Sequence, residues 1–157
     1  MSQTELDSTE TYQPVHYAGF WIRVAAAIID AIILSGVNFV VNAIFRLFML
    51  DTNFGPQAQV NVTYKVATFL TSVAGPIFYE CYFLASSWMG TPGMKLAGIK
   101  IVDYAGDRIS LGRAFIRYLS QILSAVILFI GYFMIAFDRR KQGLHDKLAK
   151  TLVIYRQ

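Results

Sequence analysis

Residues 21–34 read WIRVAAAIIDAIIL, an apolar run that contains Arg23 near its start and Asp30 in its middle. A charge is costly to bury in a protein core or a bilayer unless it has a partner. On a helix, a spacing of seven places both groups on one face, about 10 Å apart along the axis. This is too far for direct contact, so each group needs a partner elsewhere. Arg23 is placed to reach the cytoplasmic interface or a lipid phosphate, whereas Asp30 lies deeper.

The polar side of this predicted helix continues beyond Leu34 with Asn38 and Asn42. That side should face protein or a hydrated cavity, because buried polar groups require hydrogen-bond partners. A second apolar run offers a stripe of small and hydroxyl-bearing residues at helical spacing, which favours close helix packing. These residues are Thr68, Thr71, Ser72 and Gly75.

The composition favours a membrane protein of one domain. The chain has 157 residues, of which 55% are hydrophobic and 15% charged, against roughly 45–50% apolar residues in soluble domains. It has a single cysteine, Cys81, so neither an internal disulfide nor a thiolate metal cluster can form.

Three apolar runs predict helices at about 20–48, 66–88 and 114–137, since about 20 apolar residues cross a bilayer. Residues 1–15 are polar and predict a disordered cytoplasmic tail, and residues 16–155 form the membrane domain. We therefore predict an all-α integral membrane protein with two transmembrane helices. The third segment either spans or re-enters the membrane, and a small cytoplasmic β element is added.

The β element is predicted in the loop 89–113 and in the C-terminal tail 138–157. Residues 98–103 and 108–111 alternate apolar and polar side chains around a turn at 105–107, which is typical of a hairpin. Because a lone hairpin is marginally stable, we expect residues 151–155 to pair with it as a third strand.

Charge distribution leaves the third segment with two interpretations. Eleven of the fourteen Lys and Arg residues lie from Lys95 onwards, and such loops usually face the cytoplasm. A single crossing by 114–137 would separate the two basic regions. Either the segment returns to the cytoplasm as a re-entrant or interfacial pair of helices, or it crosses and one basic loop is translocated against the rule.

Asp30 and Glu80 are the two acidic groups within the first two runs. Together with the kink expected at Gly75 and Pro76 and the neighbouring hydroxyl groups, they could form an ion or proton site. Alternatively they hold the bundle together, protonated or paired with Arg23 and Arg117.

Four ordered pieces of the chain resemble the RDD family of bacterial membrane proteins, named for one arginine and two aspartates. The pieces are GFWIR at 19–23 with Asp30 following, GTPGMKLAGIKIVD at 90–103, LGRAFIRY at 111–118 and GLHDKLAKT at 143–151. The resemblance covers about residues 15–155. It implies that Arg23 is the family arginine, Asp30 the first aspartate and Asp146 the second.

The resemblance also implies a multi-pass protein of the bacterial inner membrane, with transport of an unknown ligand, for instance cation/proton exchange. We expect the N-terminus to be cytoplasmic and the partners to be the lipid bilayer, a small cation or proton, and a second copy or another membrane protein. We expect no enzyme activity, cofactor, metal or nucleic acid. GTPGMK is not a phosphate-binding loop, its glycines suit a tight turn, and His145 and Asp146 fit a solvated basic tail.

Two functions remain open from the sequence. In a transporter, Asp30 would exchange protons with cations, Glu80 would assist it, and Arg23 would tune both carboxylates. In a membrane scaffold or accessory subunit, Arg23, Asp30 and Asp146 would serve folding or partner docking.

Overall fold

The computed structural model describes residues 15–51, 57–126 and 130–156. Within them the fold has six helices and a two-stranded sheet. The helices are α1 Phe20–Asp51, α2 Gln57–Ala85, α3 Pro92–Leu96, α4 Leu111–Val126, α5 Ile130–Phe137 and α6 Leu144–Ala149, and the strands are β1 Ile99–Asp103 and β2 Thr151–Tyr155. The prediction of a disordered tail at 1–15 concerns residues that, except for Val15, lie outside the described part.

The predicted helical character is confirmed, and the number of membrane crossings is not. In the described part of the chain, one helix is long and apolar enough to cross a membrane by length and composition, at Phe20–Leu47 within α1. α2 begins at Gln57 and is longer than predicted. Polar residues in both of its halves lower its mean hydropathy. The predicted third helix is two helices, α4 and α5, with residues 127–129 outside the described part.

The sheet pairs the two segments that the sequence predicts, but not as a hairpin. β1 and β2 are antiparallel, with Ile101 opposite Val153. The expected strand at 108–111 is wrong. Ser110 accepts hydrogen bonds at the start of α4, its hydroxyl from the amide of Arg113 and its carbonyl from that of Ala114. Helix formation therefore begins at Leu111 in place of a strand.

A segment before α1 lies along the other edge of β2. Tyr17 forms a β-bridge with Ile154, the amide of Ala18 donates to the Val153 carbonyl, and that of Tyr155 donates to the His16 carbonyl. The chain thus uses residues 16–18, and not 108–111, as the third member of the sheet. This fixes the start of α1 beside the C-terminal strand.

The buried apolar core lies at the sheet end of the molecule. It joins residues from the start of α1, the end of α2, the sheet and the start of α4: Ala18, Ala26, Leu84, Ile99, Ile101, Ile109, Ala114 and Val153. Away from this end, α1 and α2 expose large apolar side chains, among them Phe39, Ile44, Leu47, Phe69 and Phe78. The tightly packed part of the fold is therefore confined to one end.

α3 packs directly on α1 through Gly93. Thr91 caps the N-terminus of α3 by accepting from the Met94 amide, and Pro92 occupies its first turn. A Cβ atom at residue 93 would press on the Ala26 carbonyl and lie 2.7 Å from the Asp30 carboxylate. The expectation that this glycine serves a tight turn is therefore wrong, since it is needed for close helix contact.

We predict that Gly93→Ala lowers the free energy of unfolding by ~1–3 kcal/mol, because the added methyl group forces α3 away from α1. Thermal denaturation in detergent would measure the loss. Gly36→Ala is the matched control, since a Cβ there meets nothing within 4 Å. Equal stability of the two variants would contradict the close contact.

Candidate functional site

The four predicted residues lie at one end of the bundle, in two neighbouring hydrogen-bond networks. Arg23, Glu80 and Asp146 belong to one network with Arg117 of α4. Asp30 is the centre of the other, with neutral partners from α2 and from Thr91 and Gly93 at the start of α3. The two networks line a shared cavity.

Asp146 is the centre of the first network and is fully buried. Its Oδ2 lies 2.5 Å from Nη1 of Arg23, and its Oδ1 lies 3.1 Å from Nη2 of Arg117. The Gly143 amide, at the start of α6, donates to Oδ2 over 3.0 Å. Burial by itself would raise the pKa of Asp146, but the charges of Arg117 and Arg23 outweigh it and hold that pKa below the usual range.

Arg23 is also largely withdrawn from solvent. Its Nε donates to the Ala18 carbonyl over 3.1 Å, and its Nη2 donates to the Lys141 carbonyl. The partners of Arg23 are therefore groups of the protein itself, in place of the lipid phosphate that the sequence allowed. α6, far away in sequence, brings Asp146 to Arg23, and sequence spacing alone could not reveal this pairing.

Arg117 links the two acidic residues of this network. Its Nη1 lies 3.1 Å from Oε1 of Glu80, and Gln121 donates to the same oxygen over 2.7 Å. Glu80 is therefore paired with Arg117, as the structural interpretation of this residue predicts. Arg117 was named as a partner from the sequence but not as a site residue. The signal was the polar stripe of α4, which contains Arg117, Ser120, Gln121 and Ser124.

Asp30 has a different environment, because its three hydrogen-bond donors are uncharged. The Tyr79 hydroxyl donates to Oδ1 over 2.7 Å, the Thr91 hydroxyl to Oδ2 over 2.5 Å and the Gly93 amide to Oδ1 over 2.8 Å. Asp30 thereby joins α1 to α2 and α3. The pairing of Asp30 with Arg23 or Arg117 that the sequence allowed is not formed.

The polar side of α1 continues along α2, as the sequence predicts. Nδ2 of Asn38 lies 3.4 Å from the Ser72 hydroxyl, and the Thr68 hydroxyl donates to Oδ1 of Asn42 over 2.9 Å. The asparagines thus find partners on the second helix.

His145 is buried beside the first network, which overturns the expectation of a solvated basic tail. Its Nε2 lies 3.6 Å from Oδ1 of Asp146. Burial lowers the pKa of His145 from 6.5 to about 4. The charge of Asp146 acts to raise this pKa, and the positive charges of Arg117 and Arg23 offset part of that effect. His145 is therefore neutral at physiological pH.

A cavity of about 320 Å³ lies between the two networks and is called the charged cavity below. Its wall includes Arg23, Asp30, Glu80, Arg117 and His145. Two guanidinium groups face three carboxylates when Asp146 is included, which leaves one net negative charge when all five are ionised. The arrangement can accommodate a cation or a proton. Among the described residues, no group of three His, Cys, Asp or Glu side chains is arranged to hold a metal ion.

We predict that His145 makes the protein less stable in acid. The folded state resists protonation of His145 between pH 6.5 and about 4, whereas the unfolded chain takes up the proton, so stability falls as pH falls through this window. The expected loss from near pH 7 to about pH 4 is ~3 kcal/mol relative to His145→Gln. Unfolding in detergent at several pH values measures it. Parallel pH dependence of the two proteins would contradict a neutral buried imidazole.

The model of the RDD family matches residues 17–150. The chain is 38% identical over 148 residues to the uncharacterized protein YxaI of Bacillus subtilis, covering 88% of this chain and 97% of YxaI. It is 31% identical to the uncharacterized protein YckC of the same organism, covering 92% and 86% of the two chains.

A third relative from Bacillus subtilis, the uncharacterized membrane protein YteJ, is 29% identical over 148 residues. The match covers 88% of this chain and 81% of YteJ. No solved structure is significantly similar to the chain.

Proposed function

Because the chain belongs to the RDD family, we propose that it is a multi-pass protein of the bacterial inner membrane that couples transport of a small cation to protons. Asp30 is the group that exchanges proton and cation. Glu80, Arg23 and Asp146 maintain the cavity around it. The activity is transport and not catalysis of a reaction.

A membrane location is supported by the inverted polarity of α4. Its buried face contains Arg117, Ser120 and Ser124, whereas its large apolar side chains point outwards: Phe115, Ile116, Leu119, Ile122 and Leu123. A soluble protein would place these faces the other way round. The length of α1 and the printed description of YteJ as a membrane protein support the same conclusion.

The proposed topology is supported by the segments that lie at the sheet end of the molecule. Residues 16–18, the end of α2 and both strands lie there, as expected for two helices, α1 and α2, that cross the membrane in opposite directions. α4 begins there, since Arg113 pairs with Asp103, and α5 ends there, since Asp138 pairs with Lys147 of α6. Of the two interpretations of the third segment, this favours return to the same side. The excess of Lys and Arg from Lys95 onwards supports a cytoplasmic location for that side.

We predict that two cysteines introduced singly, at exposed Leu96 and Leu148, react from the cytoplasmic side. Cys81→Ala supplies the background. A membrane-impermeant maleimide added to everted vesicles should label both variants, and added to intact cells should label neither. Labelling of the two positions from opposite sides would show instead that the α4–α5 segment crosses the membrane.

The observation that supports transport is the contrast between the acidic groups at the cavity. Glu80 and Asp146 are each paired with a guanidinium group, whereas the donors to Asp30 are neutral. Asp30 can therefore gain or lose a proton, or attract a cation, without breaking an ion pair. Its position on the candidate spanning helix suits an intramembrane exchange site.

The test uses everted membrane vesicles with an imposed proton gradient, to which Na⁺, K⁺ or Li⁺ is added. We expect the wild type to dissipate the gradient in response to at least one cation and Asp30→Asn to behave like vesicles without the protein. Asp107→Asn is the matched control, because it makes the same chemical change at an exposed position in the loop after β1.

Protein levels in the vesicles must be equal, because Asp30 also joins three helices. Wild-type vesicles that respond to no cation, with the protein well inserted, would contradict cation/proton exchange.

A membrane scaffold or accessory subunit is the second candidate, and the complete pairing of the first network favours it. Arg23, Arg117, Glu80 and Asp146 compensate one another and leave Asp30 as the group free of ion pairs at the cavity wall. In a scaffold, Asp30→Asn would reduce protein level or assembly before any activity. Association with a second copy or another membrane protein fits either function. In a transporter it would help to enclose the transport pathway, which so few helices cannot surround alone.

A further inference from the structure

A second space lies beside the charged cavity, between α1 and α2, and is called the apolar groove below. The groove has a volume of about 490 Å³. Leu34, Pro76 and Tyr79 line both spaces, so the two meet at the level of the Asp30–Tyr79 hydrogen bond. The two neighbouring spaces differ chemically, since one is lined by charged groups and the other mainly by aliphatic side chains.

The wall of the apolar groove is formed mainly by aliphatic side chains. They are Leu34, Val37, Val41, Leu70, Ala74 and Pro76. Along α1 the groove extends from Leu34 to Val41, about 10 Å at the helical rise. A space of this length with a mainly apolar lining suits an unbranched hydrocarbon chain better than a hydrated ion, which would leave its water ligands facing apolar walls.

The charged end has the electrostatics of a site for cations. His145 is neutral at physiological pH, and both guanidinium groups are already engaged with Asp146, so neither is available to an anion. The remaining net negative charge is associated with Asp30, at the junction of the two spaces. A positively charged head group placed there would balance it.

We propose that the joined site binds an amphipathic organic cation, with its ammonium head beside Asp30 and its alkyl chain in the apolar groove. This inference rests on the proposed function, and it names the substrate class of that same site. The combined size lies in the range of pockets for small organic ligands, roughly 300–1,000 Å³. The apolar end lies between the two long helices, where a molecule dissolved in the bilayer could enter.

The test is equilibrium binding of radiolabelled decyltrimethylammonium to the full chain in lipid nanodiscs, with binding to empty nanodiscs subtracted. We expect saturable binding to the wild type and none for decyl sulfate, which has a similar tail and the opposite charge. Tetramethylammonium, the head without the tail, should bind at least about tenfold more weakly, or ~1.4 kcal/mol.

Two variants separate the ends of the site. Ala74→Phe fills the apolar groove and replaces no member of either hydrogen-bond network, and we expect it to weaken binding at least about tenfold. Val73→Phe adds the same side chain at a position that faces outwards and should bind as the wild type does. Asp30→Asn should also lose binding, and Ala74→Phe keeps the test informative if Asp30→Asn fails to fold.

The outcomes distinguish this inference from the proposed function. Lack of saturable binding, equal binding of decyl sulfate, or unchanged binding by Ala74→Phe would overturn the amphipathic ligand. If the vesicles still show Asp30-dependent exchange of Na⁺, K⁺ or Li⁺, the proposed function stands without it. A third outcome is saturable binding in nanodiscs that depends on Asp30 and Ala74, together with no exchange of inorganic cations in the vesicles. This outcome would support the organic ligand and contradict the inorganic one.

Discussion

The carboxylate of Asp146, held between the guanidinium groups of Arg23 and Arg117, is the interaction on which the rest of the fold depends. Removing three charges from water costs several kcal/mol per ion, and only good geometry with additional hydrogen bonds offsets this. Here the Gly143 amide, the Ala18 and Lys141 carbonyls and the Glu80 carboxylate satisfy the remaining groups. The network joins α1, α2, α4 and α6, and removal of any one member would leave an uncompensated buried charge.

The position of α6 determines the sheet. β2 begins two residues after α6 ends, so once Asp146 is anchored, β2 must lie beside the start of α1. There it pairs with β1 on one side and with residues 16–18 on the other. A two-stranded sheet has little stability of its own, and its persistence here reflects the helices packed against it.

In the long helices the polar side chains face the interior of the molecule and many large apolar side chains face outwards. The groups that can form hydrogen bonds face one another along α1, α2 and α4, and the apolar side chains face outwards over most of the long helices. In hydrocarbon no water can satisfy a polar group, so this arrangement is the one a bilayer selects. It also brings charged groups to the wall of the charged cavity, where Asp30 differs from Glu80 by having neutral partners.

The sequence by itself determined the helical character, the family, the polar face that begins at Arg23 and Asp30, and the pairing of 98–103 with 151–155. The helices, the polar face and the strands depend on periodicity and composition, and the family on four short motifs. All of these are visible along the chain before it folds. Tertiary structure decided the partners: Arg23 with Asp146, Glu80 with Arg117, and Asp30 with Tyr79, Thr91 and Gly93. It also buried His145 in a segment that looks solvated and began a helix at Leu111 where alternation predicts a strand. The physical reason is that a buried charge needs a partner, and these partners lie from 37 to 123 positions away, so they can meet only after the chain has folded.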